Sequence, residues 1–447
     1  MSREPTEFEL SEINLEALHL PLNGYDVGRG SSGSTKVEAP LPLADGGKDA
    51  WMFLAGCFLV EALVWGFPFS FGVFQDYYAT TKPFAGCNNI AVIGTVAVGI
   101  MYLGAPLTCA VGYWPKLCRW SSTIGLGILL VSLIWASFSD SVIELILSQG
   151  LLYGIGGGIM YAPTVIYLDE WFDKKKGLAF GVMWAGTGTA GLSVPFLMNW
   201  LLTQYHFRTA LRIWAIVVFL LSAPFLYHIK PRVPSSLAPT ADGMSLSFLK
   251  NRNFTILQLG NILEGLGYFI PSYYLPTYAT SLHLPPLSGT TTVALVNVTA
   301  MVGCTCMGHL IDRLDVCTCM LISTVGSTLS IFLLWGLATS FPLLCIFSLA
   351  YGLFAGSFSS TWCGVLREVR KNDGKAHSGM VFGFLAFGRG VGSVVSGPLG
   401  EALVAGMPWK GNAPLGYGTG YGPLMVFSGV SAAFGCVGWV ARKAGWI

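Results

Sequence analysis

Apolar residues run along this chain in blocks of roughly 18 to 25, the length a helix needs to cross the hydrocarbon core of a bilayer. Twelve blocks are legible, at about 52 to 74, 89 to 111, 122 to 139, 143 to 167, 178 to 202, 211 to 229, 254 to 277, 290 to 311, 317 to 338, 342 to 364, 381 to 404 and 421 to 440. They are continuous rather than alternating, which predicts membrane-spanning helices and not the short period-two strands of a barrel. Two stretches break the pattern. Residues 1–50 hold nine acids, four Lys or Arg and a Gly/Ser cluster from Gly28 to Ser34, and are expected to be a disordered cytoplasmic tail. Within it, Phe8, Ile13, Leu15 and Leu18 leave room for a short surface helix. Residues 230–253, rich in Pro and Ser, are expected to link a first six-helix bundle, 51–229, to a second, 254–447, on the cytoplasmic side. No signal peptide is read at the N-terminus, as suits a first helix that directs its own insertion.

The two bundles echo one another. Gly177, Gly181, Gly186 and Gly188 recur 202 positions later as Gly379, Gly383, Gly388 and Gly390, and the stretch Glu61 to Pro68 recurs, shifted by 203, as Glu264 to Pro271. Such a repeat predicts a duplicated membrane bundle. At one place inside the echo the copies differ in kind: Thr187 stands in the first where Arg389 stands in the second.

Composition agrees with a membrane protein. Apolar residues make up 53% and charged ones 11%, and mean hydropathy is +0.61, too little charge for a soluble surface at this length. With both termini on one side, that side collects sixteen Lys and Arg from the loops and the C-terminal end, against Lys82, Arg208 and Lys410 opposite, so both termini are expected in the cytoplasm. The net charge of +2 follows from this bias and predicts no nucleic-acid partner. The expected partners are the lipid bilayer and a small organic solute, with no obligate protein partner. The cell membrane is the expected location, a vacuolar or other internal membrane the alternative.

A charge at the centre of a membrane helix costs roughly 2.5 to 3.5 kcal/mol on insertion scales, so those retained there face a cavity or a partner. Glu61, Glu264 and Arg389 are the deepest; Glu144, Arg212 and Glu401 lie nearer span ends. If the first and seventh spans line a central cavity as symmetry mates, the two glutamates are expected to face one another across it, with Arg389 their one deep cation. Two readings stay open: a substrate anchor or proton-coupled ion pair, and a purely structural buried pair or protonated acids bonded to neighbouring helices. Trp65, Phe67, Phe69 and Phe71 in the first span, and Tyr268, Phe269, Tyr273 and Tyr274 in the seventh, bracket Pro68 and Pro271, which should weaken both helices. Phe69, Tyr268 and Tyr273 are the candidate substrate contacts, against the alternative of lipid-facing or core aromatics. An aromatic, weakly charged cavity suits a flat or amphipathic organic solute better than an inorganic ion.

Other chemistries find no support. Gly186-Thr-Gly188-Thr-Ala-Gly191 formally matches a dinucleotide fingerprint, but it lies inside an apolar run, where small residues let helices approach closely. Gly150, Gly154 and Gly158, four apart, are expected to do the same. The eleven cysteines lie mostly in apolar spans, and the pairs Cys304/Cys306 and Cys317/Cys319 lack neighbouring histidines for zinc. None of the six histidines suggests a catalytic triad or metal site. Asn253 and Asn297 open glycosylation sequons on the cytoplasmic side and within a span, where modification is not expected. The chain therefore reads as no enzyme, with no metal and no cofactor beyond possible proton coupling.

Several segments carry a resemblance. Asp45-Gly46-Gly47-Lys48-Asp49-Ala50-Trp51, and Ser70 to Tyr78 at the end of the first span, resemble the helix entry and exit of fungal members of the monocarboxylate porter family, within the major facilitator superfamily. Tyr153-Gly-Ile-Gly-Gly-Gly158, Pro163, Trp171-Phe172 and Lys176-Gly177-Leu178-Ala179 to Pro195 are similar to that family's fourth and fifth helices. Gly308-His-Leu-Ile-Asp312-Arg313 resembles the superfamily's loop signature between helices eight and nine, which implies a gating role for Asp312 and Arg313. The similarity runs from about residue 45 to the C-terminus. In two places the chain departs from the pattern. The positions that carry the charged residues of animal lactate carriers correspond to Phe69, Ala300 and Cys304, so lactate-type transport is not expected. The first-half loop, Gly112-Tyr-Trp-Pro-Lys116, lacks its aspartate, so its gating contact is lost or passes to Glu170 or Asp173.

The resemblance implies an all-α integral membrane protein with the major facilitator fold, about twelve helices in two six-helix bundles that rock about a midplane site. It implies a secondary-active transporter of a small organic solute, with efflux of a fungal secondary metabolite or organic acid favoured. Uptake of a monocarboxylate or vitamin-like nutrient is the alternative, and a transporter-like solute sensor is an alternative of another class.

Overall fold

Where no water is available, a backbone satisfies its own hydrogen bonds most simply as helix, and each apolar block of this chain does so. The computed structural model describes residues 42–85, 87, 89–233, 246–285, 287–374 and 376–446. Nine helices there are long and apolar enough to cross a membrane, and a tenth is a pair bent by 46°. The longest, Lys176–Leu226, is two spans meeting at His206, whose φ of 59° and ψ of 167° turn the chain. One further segment, Arg252–Tyr268 with Ile270–Ser281, is broken at Phe269.

Twelve spans result. They are α1 (Gly47–Thr80), α2 (Ile90–Leu103 with Ala105–Cys109), α3 (Pro115–Ala136), α4 (Val142–Trp171), α5 and α6 (Lys176–Leu226 before and after His206), α7 (Arg252–Tyr268 with Ile270–Ser281), α8 (Leu287–Ile311), α9 (Val316–Trp335), α10 (Phe341–Asn372), α11 (Ser378–Val404) and α12 (Gly422–Lys443).

α1 and α7 are interrupted beside Pro68 and Pro271, as expected. α1 departs from helical geometry at Ser70, two residues after Pro68, and the Ser70 hydroxyl donates to Gly66 O at 2.6 Å. α7 breaks at Phe269, two residues before Pro271. Both interruptions fall at the aromatic clusters, where Phe67 packs on Tyr153 and Trp214 inside the first bundle.

Two boundaries differ from the sequence expectation. Most of the expected tail, residues 1–41, and the hydrophobic positions within it lie outside the described residues, as do 234–245 of the linker. Residues 42–50, however, are built into the fold: α1 starts at Gly47, and Asp45 in the left-handed region (φ 58°) caps the turn between α4 and α5. Its carboxylate accepts the amides of Asp173, Lys174 and Lys175 at 2.9, 3.0 and 2.8 Å. Burial opposes its charge, but these three amides outweigh burial and hold its pKa below the usual carboxylate value. Gly47 follows at φ 84°, a conformation that favours glycine, which accounts for the second glycine of the Asp-Gly-Gly entry. α10 extends to Asn372 rather than 364 because its last turns are amphipathic, with Arg367, Glu368, Arg370 and Lys371 hiding them from a hydropathy count.

The repeated glycines now acquire a shared geometry. Gly177, Gly181 and Gly188 press α5 against α8, and a Cβ at Gly181 would stand 2.4 Å from Cys304 O. Gly379, Gly383 and Gly390 bring α11 against the first bundle, and a Cβ at Gly383 would lie 2.9 Å from Pro106 Cα in α2. The remaining member of each set, Gly186 or Gly388, faces α1 or α7 of its own bundle. Three glycines of each repeat thus make the seam between bundles, and one packs within its bundle. Gly150, Gly154 and Gly158 seat α4 on α2.

Even a methyl group at this seam needs backbone movement. Gly181→Ala is expected to destabilise the protein by about 1–3 kcal/mol, the usual range for overpacking. Thermal unfolding in detergent, compared with Ala substitution at the open Gly127, checks it; equal melting temperatures would contradict the packing role.

Candidate substrate site and cytoplasmic seal

Glu61, Glu264 and Arg389 are all buried, at 4%, 4% and 2% exposure. Arg389 pairs with Glu264 and makes no ion pair with Glu61 among the described residues. Each is held inside its own bundle by the fifth helix of that bundle. In the first half the Thr187 hydroxyl donates to Glu61 Oε1 at 2.5 Å. In the second, Arg389 Nη1 lies 2.8 Å from Glu264 Oε2, and the guanidinium sits 3.9 Å from the centre of the Tyr268 ring. The two pairs occupy equivalent positions of the repeat, so the Thr187/Arg389 difference decides whether a buried carboxyl receives a countercharge. A buried pair repays desolvation only through good geometry and further bonding, which the guanidinium over an aromatic ring helps supply. Glu61 has no such countercharge; its neighbours are the hydroxyls of Thr187 and Tyr161.

Aromatic side chains fill the space between. Trp65, one turn from Glu61, stacks on Phe69 at 5.9 Å and meets Tyr102 of α2 at 4.5 Å. Tyr102 in turn lies edge-on to Phe269 at 6.2 Å, joining the two halves. Tyr273 stacks on Phe269 at 6.2 Å but is 47% exposed, at the outer edge of the cluster with half-buried Phe69. Of the six candidate site residues, Glu264, Arg389 and Tyr268 form one contiguous group, while Glu61 and Phe69 belong to another around Trp65. Cys304 is buried, and its thiol donates to Gly356 O at 3.2 Å.

A small cavity of about 30 Å³ lies beside Trp65 and is walled by Met101, Tyr161, Trp184, Trp362 and Phe382 among others. Both bundles contribute to it. The Trp184 indole donates to the Tyr161 hydroxyl at 3.0 Å, and that hydroxyl borders Glu61. Sequence reasoning missed Tyr161, Trp184 and Trp362; each is an aromatic with a polar atom inside a small-residue span, a signal shared with ordinary core residues.

On the cytoplasmic side the bundles are latched. Asp312, at the end of α8, accepts the amides of Gly177 and Leu178 at the start of α5 at 2.7 and 2.8 Å, and Arg367 at 2.6 Å. A carboxylate on a helix N-terminus is favoured by both hydrogen bonding and the helix dipole. Arg313 beside it is exposed and makes no ion pair among the described residues. On the opposite half, the missing loop aspartate is replaced by neither Glu170 nor Asp173. Asp169 does the work, pairing with Lys176 at 2.5 Å and, across the seam, with Arg370 at 2.7 Å. Glu170 is engaged elsewhere, accepting the amides of Arg232 and Val233 at the start of the linker. At the head of α11, His377 stacks on Tyr113 at 4.9 Å and closes over Gly112.

Two bundles related by an internal repeat, a buried centre between them and a charged latch at one end describe an alternating-access carrier. The family model for the Major Facilitator Superfamily matches residues 53–316 and 305–412. The chain belongs to the major facilitator superfamily. It is 26% identical over 377 residues to the MFS-type transporter pynF of Aspergillus niger, covering 80% of this chain and 83% of that one. It is 28% identical over 361 residues to the agnestins efflux protein AgnL12 of Paecilomyces divaricatus, covering 78% and 81%. Monocarboxylate transporter 13 of Bos taurus is 29% identical over 372 residues, covering 80% and 83%, in line with monocarboxylate-porter-like membership. The protein is a multi-pass membrane transporter and not an enzyme.

The seal carries a pH dependence. Burial, then the neighbouring Arg370, push the His377 imidazole below its usual range, with Asp169 opposing weakly. A group that resists protonation when the seam is closed favours closure above its ordinary value of about 6.5 and loses that contribution as pH falls below it. Hydrogen exchange at 105–113 and 376–384, corrected for intrinsic rates, should therefore speed up on acidification. In His377→Phe, which keeps the stacking ring, the acid-dependent increase should vanish; its persistence would contradict the assignment.

Proposed function

We propose that this transporter exports an organic solute of the secondary-metabolite kind across the cell membrane, in exchange for protons that bind at Glu61. The observation that carries the coupling is the asymmetry of the repeat: Glu264 is neutralised by Arg389, while Glu61 meets the hydroxyls of Thr187 and Tyr161 and no cation among the described residues. A carboxyl that keeps no fixed countercharge is free to change occupancy during a cycle, whereas one locked to a guanidinium is not. Export is supported by relatives named as efflux proteins, for agnestins and for aspyridones. A monocarboxylate is disfavoured as cargo because the deepest cation, Arg389, is already committed to Glu264.

Inside-out vesicles from expressing cells test this. Supplied with the producing organism's solvent-extracted metabolites, they should accumulate one or a few, read by mass spectrometry against vector controls, when the lumen is acidic. One pH unit supports about tenfold accumulation in one-for-one exchange, since each unit is worth about 1.4 kcal/mol. Glu61→Gln should keep counterflow of the same compound and lose gradient-driven accumulation. Undiminished accumulation in the variant would remove Glu61 from coupling, and accumulation only with an alkaline lumen would reverse the direction.

A further inference from the structure

Two tryptophans meet across the seam, and each is held by a hydrogen bond within its own bundle. Trp184 of α5 and Trp362 of α10 lie edge to face at 5.6 Å, and Phe382 of α11 stands 6.2 Å from the Trp184 ring. All three side chains are buried. The Trp362 indole donates to Asn261 Oδ1 at 3.2 Å, and Asn261 is tied to α11 by its bond to Leu385 O at 2.8 Å. The Trp184 indole donates at 3.0 Å to the Tyr161 hydroxyl, which borders Glu61. Aromatic pairs of this kind prefer particular orientations and are worth about 0.5–1.5 kcal/mol beyond burial, enough to bias where an indole N–H points. Trp184 also lies one turn before Thr187, so both hydroxyls that reach Glu61 depend on α5, one directly and one through this indole. The second half has no copy of the device, since Ala386 stands 202 positions after Trp184.

An indole N–H only donates, whereas a phenol donates once and also accepts on its oxygen. With Trp184 on that oxygen, the Tyr161 proton is left for the Glu61 carboxyl, and the bond it makes there is strengthened by the one it receives. We propose that Trp184 ties closure of the cytoplasmic seam to the state of Glu61: Trp362 and Phe382 hold the indole where it engages Tyr161, and Tyr161 in turn donates to the carboxyl. When the bundles part, that wall leaves with the second bundle. The indole is then released, and Glu61 keeps Thr187 as its hydroxyl donor. Gate and proton site change together, which coupled exchange requires and which rigid rocking of two bundles does not by itself provide. Trp184, Tyr161 and Trp362 are positioning residues in this scheme. The other titratable groups near the Glu61 charge are Cys57, Tyr102 and Cys304, on α1, α2 and α8.

This rests on the reading of Glu61 as the coupling site, and infrared difference spectroscopy tests it without transport. In the purified full-length protein the Glu61 carbonyl band is the one lost in Glu61→Gln, and such a band moves to higher wavenumber when a hydrogen bond to it is removed. Tyr161→Phe should move it so. Trp184→Phe, which keeps a ring and removes the N–H, should move it the same way by less. Trp362→Leu and Phe382→Leu, both in the second bundle, should do likewise, and in a Tyr161→Phe protein none of the three should move it further. A merely structural role would still shift the band in that background. In inside-out vesicles Trp184→Phe should keep counterflow and lose most of its gradient-driven accumulation. A band unmoved by Trp184→Phe, unmoved by both leucine substitutions, or moved as far when Tyr161 lacks its hydroxyl would overturn the relay and leave Glu61 as the coupling site. The expected shifts together with undiminished accumulation in Trp184→Phe would keep the relay and overturn Glu61 as the coupling site.

Discussion

A carboxyl in the bilayer core has no water to fall back on, and the two halves of this protein answer the same glutamate differently. In the second half the answer is complete: a guanidinium at 2.8 Å with an aromatic ring beneath it. In the first it is partial, hydroxyls from Thr187 and Tyr161 with no countercharge. Because both acids sit on the first helix of their bundle and both partners on the fifth, the fold supplies an internal comparison of one position with and without a countercharge. The fixed pair gives the second bundle a neutral, rigid wall. The unfixed acid, beside Trp65 and Tyr161, leaves the first bundle with the chemistry.

Movement depends on a different set of residues. The seams where α5 meets α8 and α11 meets α2 are made of glycines that allow near contact of backbones, so the bundles slide against smooth surfaces rather than interlocked side chains. Closure on the cytoplasmic side is then left to a few polar contacts: Asp312 on the head of α5, Asp169 to Arg370, and His377 on Tyr113. Contacts of this kind are strong when aligned and lost outright when the helices part, which suits a latch. The two ends of the latch are not equivalent. One keeps an acid on a helix N-terminus; the other, lacking its loop aspartate, relies on an ion pair and a stacked imidazole.

Much of this was legible in the sequence. The twelve spans, the duplication and the burial of the three central charges follow from hydropathy and spacing, because insertion into a bilayer depends on local composition. The pairing of those charges was not legible. Hydropathy places Glu61, Glu264 and Arg389 at similar depth but does not say how each helix is rotated, and rotation decides that Arg389 turns to Glu264 while Glu61 meets Thr187. Read through the repeat, the correct pairs were present as equivalent positions, 61 with 187 and 264 with 389. Asp169 was missed for a related reason: three acids cluster at the end of α4, and only the helix phase selects which one crosses the seam. Asp45 was visible as part of a motif, yet its capping of a turn more than a hundred residues away has no local signature.

Coupling turns on the missing countercharge at Glu61, and the repeat itself supplies the measurement. Thr187→Arg installs in the first half the pair that the second half already has. Proton-driven accumulation in inside-out vesicles should be lost in this variant while the purified protein keeps its melting behaviour. Accumulation at the unmodified rate in a folded Thr187→Arg protein would contradict the claim that an unpaired Glu61 is what the transporter runs on.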